Sequence, residues 1–113
     1  MQFDFCKILD TPRYKNKDII VFNNGELYNS KTCNFIKKSR KDGKTYTIIQ
    51  RYNEVTDTYT AMIVPYIICS LFRNDNLKHE KNAYNVFEYF DGNCDNCSWD
   101  NIRANYYEYK VIE

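Results

Sequence analysis

The chain has 113 residues, 43% of them hydrophobic, which is enough for one modest core and too few for two independent domains. Its longest apolar stretch, residues 61–69, is far too short to cross a membrane, and residues 1–5 lack the pattern of a secretory signal. An odd cysteine count of five then favours free thiols in a reducing cytoplasm, so we expect a cytoplasmic protein without a membrane partner.

Charge is unevenly distributed along the chain. Residues 1–51 carry eleven Lys and Arg against five Asp and Glu, whereas residues 52–113 carry five against ten. A basic half can meet phosphate and an acidic half can hold a divalent cation or a basic partner, although an ordinary dipolar surface gives the same counts. Abundant Asn, Lys, Ile and Tyr are typical of AT-rich genomes, which fits a phage, another virus or an AT-rich bacterium as the source.

The first 64 residues are predicted to form a β-rich module. Residues 19–22 and 26–28 are predicted to be two short strands, joined by Asn23-Asn24-Gly25, in which the Asn-Gly pair supplies the positive φ angles of a tight hairpin. Residues 33–36 follow as a short strand. The alternating, β-branched segments 45–51 and 58–64 are expected to pair across residues 52–57.

The second half is predicted to contain a helix, a connector and a finger. Pro65 suits the first turn of a short buried helix over 66–72, and residues 73–83 form a polar connector. A strand over 85–90 and a loop over 91–97 precede a helix that Ser98 caps and that extends to about Tyr109. We therefore expect one α+β domain, a small antiparallel sheet plus a short helix followed by a strand–loop–helix finger, with parts at 1–64, 65–83 and 84–113.

Residues 87–103, FEYFDGNCDNCSWDNIR, carry the strongest motif. They resemble the metal finger of HNH (His-Me finger) endonucleases, N/D-H-x-D-G-N-x-x-N-N-x-x-x-N-L-R. Residues 24–29, 35–50 and 63–72 are similar, in order and spacing, to the NUMOD-type front module of phage HNH homing endonucleases. The resemblance implies a ββα-metal fold in which a histidine activates water and one divalent cation stabilises the leaving oxygen.

Transferred onto this chain, the resemblance implies metal ligands at Glu88 and Asn101, which are 13 residues apart and offer oxygen donors suited to Mg²⁺. Asn96 corresponds to a loop asparagine that helps to position the base. Tyr89 stands where the family has its catalytic histidine, and a phenol with a pKa of about 10 is a poor base beside an imidazole of about 6.5. His79, the only histidine, is either a substitute base or a surface residue.

Cys94 and Cys97 have the C-x-x-C spacing of half a zinc site. The other cysteines form no second pair, so we do not expect zinc, and the βαβ context of a redox dithiol is also missing. The simplest interpretation is that both are ordinary loop residues.

A basic segment follows the third strand. Its charges either contact phosphates or line a solvated hairpin tip. The tyrosines at 106, 107 and 109 either stack on bases or pack the last helix. The candidate nucleic-acid-binding residues are Lys37, Lys38, Arg40, Lys41 and Lys44.

Three interpretations remain open at this point. In the first, which we favour, the chain is a virus-encoded protein of HNH descent that has lost efficient catalysis and binds nucleic acid or a host protein, as an inhibitor or accessory factor. In the second it is an active Mg²⁺-dependent nicking endonuclease with an atypical base. In the third it is a structural or virion component.

Overall fold

The computed structural model describes residues 5–41, 44–53, 58–80 and 85–105. In these ranges the chain forms three antiparallel sheets and one short helix, so the predicted α+β class is confirmed. The elements are β1 (Cys6–Asp10), β2 (Lys15–Phe22), β3 (Leu27–Asn29) and β4 (Asn34–Phe35) in the first sheet; β5 (Lys38–Lys41), β6 (Lys44–Asn53) and β7 (Thr58–Ile63) in the second; α1 (Val64–Phe72); and β8 (Val86–Tyr89) and β9 (Ile102–Asn105) in the third.

The predicted hairpin between β2 and β3 is confirmed, but its turn differs from the expected one. The Gly25 N–H donates to the Phe22 carbonyl at 3.0 Å, and Gly25 has a φ of +95°. Asn24 has a negative φ, and its side-chain carbonyl accepts the Glu26 N–H at 3.0 Å. One left-handed glycine, rather than an Asn-Gly pair, therefore closes the hairpin.

The helix α1 begins directly after β7 and supplies the centre of the core. Pro65 lies in its first turn, as predicted, where a missing N–H costs nothing. The helix is apolar on most sides because it packs against β6, β9, β1 and β7. It meets the inner face of the first sheet, which contributes the buried residues Leu9, Ile19, Val21 and Leu27.

The predicted final helix is wrong over residues 98–105. Residues 98–101 form a turn, and β9 pairs antiparallel with β8, with Tyr89 opposite Ile102 and Glu88 opposite Arg103. Alternation explains the difference, because Ile102 and Ala104 are buried while Arg103 between them is exposed, which is the period of a strand. The remainder of the predicted helix, 106–109, lies outside the described residues.

The finger is hydrogen-bonded to the front of the chain. The Trp99 N–H donates to the Asn23 carbonyl at 2.8 Å, and the Thr45 hydroxyl donates to the Cys94 carbonyl at 2.9 Å. These bonds hold the finger loop against both front sheets, while the division into parts at residues 64 and 83 stays a prediction. Within the described ranges, no helix has the length and apolar character needed to span a bilayer.

Candidate functional site

The finger loop is closed by a group of polar side chains that we call the loop clamp: Asp91, Asn96 and Asn101. The Asp91 carboxylate accepts hydrogen bonds from the Asn93 N–H at 2.8 Å and from the side-chain amides of Asn96 and Asn101, each at 2.9 Å. Asn101 also donates to the Asn96 carbonyl at 2.9 Å and accepts the Asp91 N–H at 3.0 Å. The clamp therefore ties both ends of the loop to its middle.

These hydrogen bonds also determine the charge of Asp91. The bond from Asn96 contributes most, followed by those from the Asn93 N–H and Asn101, and together they lower the pKa of the Asp91 carboxyl below its ordinary value. The carboxylate is accordingly ionised at neutral pH, in the form that accepts all three bonds.

Two residues assigned from the motif thus lie in the clamp. Asn101 is only 8% exposed and uses both its amide group and its carbonyl oxygen within the loop. Asn96 donates to Asp91 and accepts the Ser98 N–H at 3.3 Å. Metal binding by Asn101 and base positioning by Asn96 stay predictions, and the bonds assign both side chains a structural role.

Glu88 lies on the outer face of the finger strand. Its carboxylate Oε2 is 2.5 Å from Nη2 of Arg103, the residue opposite it on β9. The Glu88 side chain is 38% exposed and the Arg103 side chain 50% exposed, so the pair lies at the surface. The Arg103 guanidinium is the positive charge that faces the Glu88 carboxylate.

These surroundings differ from those that a divalent cation needs. Mg²⁺ requires near-octahedral oxygen coordination, usually by one or two carboxylates together with waters and substrate phosphates. Among the described residues there is no group of three or more His, Cys, Asp or Glu side chains placed to hold a metal ion. Glu88 faces Arg103, and the Asn101 oxygen faces a backbone N–H. The described residues therefore do not fit the Mg²⁺ that the resemblance implies, and we derive no chemical step through a metal.

Tyr89 points to the opposite side of β8, since successive residues of a strand alternate between faces. Its hydroxyl is buried and has no hydrogen-bond partner among the described residues. Burial, together with the nearby thiols of Cys97, Cys94 and Cys69, raises the pKa of Tyr89 well above that of an ordinary phenol. A buried, protonated phenol with a raised pKa cannot act as a general base at neutral pH.

His79 is exposed, as expected for a surface residue. Its Nδ1 lies 2.8 Å from the Tyr66 hydroxyl, and its carbonyl accepts a hydrogen bond from Arg13 at 3.3 Å. These contacts anchor the connector to the core and give His79 a structural role.

The two loop cysteines have packing roles. Cys97 is buried, burial raises the pKa of its thiol, and a Cβ added to Gly25 would lie 3.0 Å from the Cys97 Cβ. Cys94 contacts the Arg40 guanidinium through its sulfur. This agrees with the interpretation as loop residues, and the absence of zinc stays a prediction.

The candidate basic residues in and next to the β5–β6 hairpin differ in exposure and in ion pairing. Lys37 is exposed. Lys38 lies 2.6 Å from the Glu26 carboxylate, and Arg40 lies 3.2 Å from that of Asp95. Lys44 is half-buried, and the Lys41 side chain lies outside the described part of the chain. The hairpin is thus fixed beside the finger loop, with part of its charge balanced internally.

One further cluster, centred on Asp75, was not predicted from the sequence. Its carboxylate accepts from Arg73 at 2.7 Å and from the Ala104 N–H at 3.0 Å, while Arg73 also donates to the Trp99 carbonyl. Burial alone would raise the pKa of Asp75, but these hydrogen bonds outweigh it and lower the pKa. The cluster fixes β9 and the loop relative to α1, and only the R-x-D spacing hints at it.

With this geometry established, the chain was compared with known proteins. No protein-family model matches it, and neither does any curated protein sequence. A solved structure of the HNH homing endonuclease I-HmuI, described as showing DNA binding and cleavage, is similar with a TM-score of 0.65 and 22% identity. The match covers 89% of this chain and 52% of the other, so this chain spans about half that protein's length. The chain therefore has an HNH-endonuclease-like fold.

Proposed function

We propose that this protein binds DNA on an HNH-endonuclease-like scaffold and does not cleave it efficiently. The observation that carries the proposal is the position of Tyr89. The residue at the motif's base position has its hydroxyl buried on the inner side of β8. Replacing a general base typically costs about 10²–10⁴-fold in rate.

Binding to DNA is supported by the fold and by charge. The I-HmuI structure that resembles this chain is of a protein that binds DNA. In this chain the β5–β6 hairpin lies against the finger loop through Arg40 and Thr45, and exposed Lys37 directly precedes β5. Lysine and arginine side chains at such a surface contact phosphates without reading sequence.

Salt-dependent binding to a DNA duplex tests the proposal. Neutralising two charges of the hairpin, Lys37→Gln with Arg40→Gln, should weaken binding and reduce the slope of log K against log salt by about 0.9 for each phosphate that the variant no longer neutralises. The matched control removes two charges from β2, Lys15→Gln with Lys17→Gln. Equal decreases in affinity in both double variants, with circular dichroism reporting intact folding, would mean that the hairpin is not the binding surface.

Several finer features remain predictions from the sequence. They are a viral source, a NUMOD-type front module, a cytoplasmic location and an inhibitory or accessory role against a host protein. If the wild-type chain binds no duplex at any salt concentration, a protein partner becomes the better hypothesis. Binding of the proposed kind requires no divalent cation.

A further inference from the structure

The outer face of the first sheet carries an unbroken apolar row. Residues paired across antiparallel strands share a face, and the registers place Ile8 opposite Ile20, Ile20 opposite Tyr28, and Tyr28 opposite Phe35. One row thus crosses all four strands. The inner face is already filled by the core, so this row is additional to what the fold needs.

Aromatic rings cluster at one end of the row. The Phe35 ring centroid lies 5.1 Å from that of Tyr28 and 6.3 Å from that of Phe22, and Phe35 is 60% exposed. The solvated face of an antiparallel sheet is ordinarily polar. A contiguous aromatic surface at such a place marks a contact site.

Charge around the rings indicates what the site contacts. Lys31 and Lys37 flank β4 in sequence, both are exposed, and residues 30–38 contain no carboxylate. Asp10 lies at the end of β1 away from the Asn23–Gly25 turn. Asp18 shares the face of Ile20 but belongs to the half of β2 away from that turn, and the Glu26 carboxylate is paired with Lys38 at 2.6 Å. Rings bordered by lysines suit unpaired bases, which stack on aromatic side chains while their phosphates meet the cations. Bases inside a duplex offer no free face for such stacking.

We propose that the outer face of β1–β4 binds unpaired nucleotides of single-stranded DNA. Phe35, Tyr28 and Phe22 stack on the bases, and Lys31 and Lys37 contact the phosphates. The inference rests on the proposed function, because it assigns a second, single-strand-selective surface to a DNA-binding protein. In the sequence, Lys37 lies between β4 of this face and the β5–β6 hairpin.

The test compares fluorescein-labelled oligo-thymidine with a duplex of the same length by fluorescence anisotropy at fixed salt. Phe35→Ala should weaken single-strand binding about tenfold, because a stacking ring is removed, and leave duplex binding unchanged. Phe35→Trp should retain single-strand binding. The matched control is Phe90→Ala, since Phe90 is also 60% exposed but lies on the finger rather than on the first sheet, and it should leave single-strand binding unchanged.

The outcomes separate this inference from the proposed function. If the wild-type protein binds duplex but not oligo-thymidine, the inference is overturned and the proposed function stands. If it binds oligo-thymidine but not duplex, only the proposal of duplex binding is overturned. Equal effects of Phe35→Ala and Phe90→Ala also overturn it. So does a Phe35→Ala variant that binds oligo-thymidine normally but sediments as a smaller species, because the face is then an interface between two copies of the chain.

Discussion

The loop of the finger, residues 91–101, and the strand before it, β8, both carry motif residues, but different forces hold their side chains. In the loop, Asp91 and Asn101 hydrogen-bond to each other and to the loop backbone. On β8, Glu88 faces an arginine, and the hydroxyl of half-buried Tyr89 is buried without a hydrogen bond among the described residues. The Asp-Gly-Asn signature is explained by the loop's own structure, so its presence does not predict chemistry on the adjoining strand.

Asn101 of the loop clamp predicts the largest effect on the free energy of unfolding. Asn101→Ala removes three hydrogen bonds and leaves the Asp91 N–H and the Asn96 carbonyl without this partner, so we expect a decrease of about 3 kcal/mol in the free energy of unfolding. Urea denaturation measures it. The control is Asn34→Ala, because Asn34 is exposed and donates one local bond. Similar decreases at both positions would mean that the clamp does not hold the loop.

The contact between loop and front sheet predicts the next effect. Gly25→Ala places a Cβ 3.0 Å from the Cys97 Cβ and also strains a left-handed backbone, and we expect a decrease of about 2 kcal/mol in the free energy of unfolding. Gly92→Ala is the matched control, since its φ is +73° but no atom lies within 4 Å of the added Cβ, so only the backbone cost of about 1 kcal/mol applies. Thermal denaturation of both variants gives the difference, and equal melting temperatures would contradict the proposed packing.

The clamp also predicts a pH dependence. Because folding lowers the pKa of Asp91, its contribution is present above the unfolded-state pKa of about 3.9 and disappears as pH falls through the lower folded-state value. Asp75 acts in the same direction. Unfolding free energy should therefore decrease below about pH 4, and Asp91→Asn should reduce that slope while lowering stability at pH 7. An unchanged slope in Asp91→Asn would exclude the clamp as its source.

Tyr89 on β8 predicts the smallest effect on the free energy of unfolding. Tyr89→Phe deletes a buried hydroxyl that has no hydrogen-bond partner among the described residues, so stability should stay constant or rise by about 1 kcal/mol. The matched control, Tyr66→Phe, removes a hydroxyl 2.8 Å from His79 Nδ1 and should lower stability by about 1 kcal/mol. If Tyr89→Phe is the more destabilising variant, the Tyr89 hydroxyl makes a stabilising interaction and is not an orphaned group.

Much of the fold follows from the alternation of apolar and polar residues and from the positions of glycine and proline in the sequence. The β2–β3 hairpin, the pairing of β6 with β7, and the helix beginning around Pro65 were each predictable because their local preferences agree with their burial. The prediction of a helix beginning at Ser98 was wrong. An N-cap residue followed by mixed polar residues does not reveal that Ile102 and Ala104 belong to a strand, which pairs with β8 on the other side of the finger loop.

The site was predictable in position but not in side-chain direction. The resemblance to the HNH finger placed Asn101 near the finger strand, but whether its carboxamide faces a cation or the Asp91 N–H depends on the folded loop. Likewise, the motif located Tyr89 at the base position, and only the pleat of β8 determines that Tyr89 points inward while Glu88 points outward toward Arg103.

Nicking of supercoiled plasmid tests the central claim most directly. Wild-type protein, Glu88→Ala and Tyr89→His are each incubated with plasmid and with Mg²⁺, Mn²⁺ or EDTA, while a gel shift confirms binding to DNA. We expect all three proteins to bind the plasmid and none to nick it, because the described part of the finger has a buried phenol at the base position and a histidine at position 89 would be buried in the same way. Metal-dependent nicking by the wild type that disappears in Glu88→Ala would contradict the claim that this finger has no efficient catalysis.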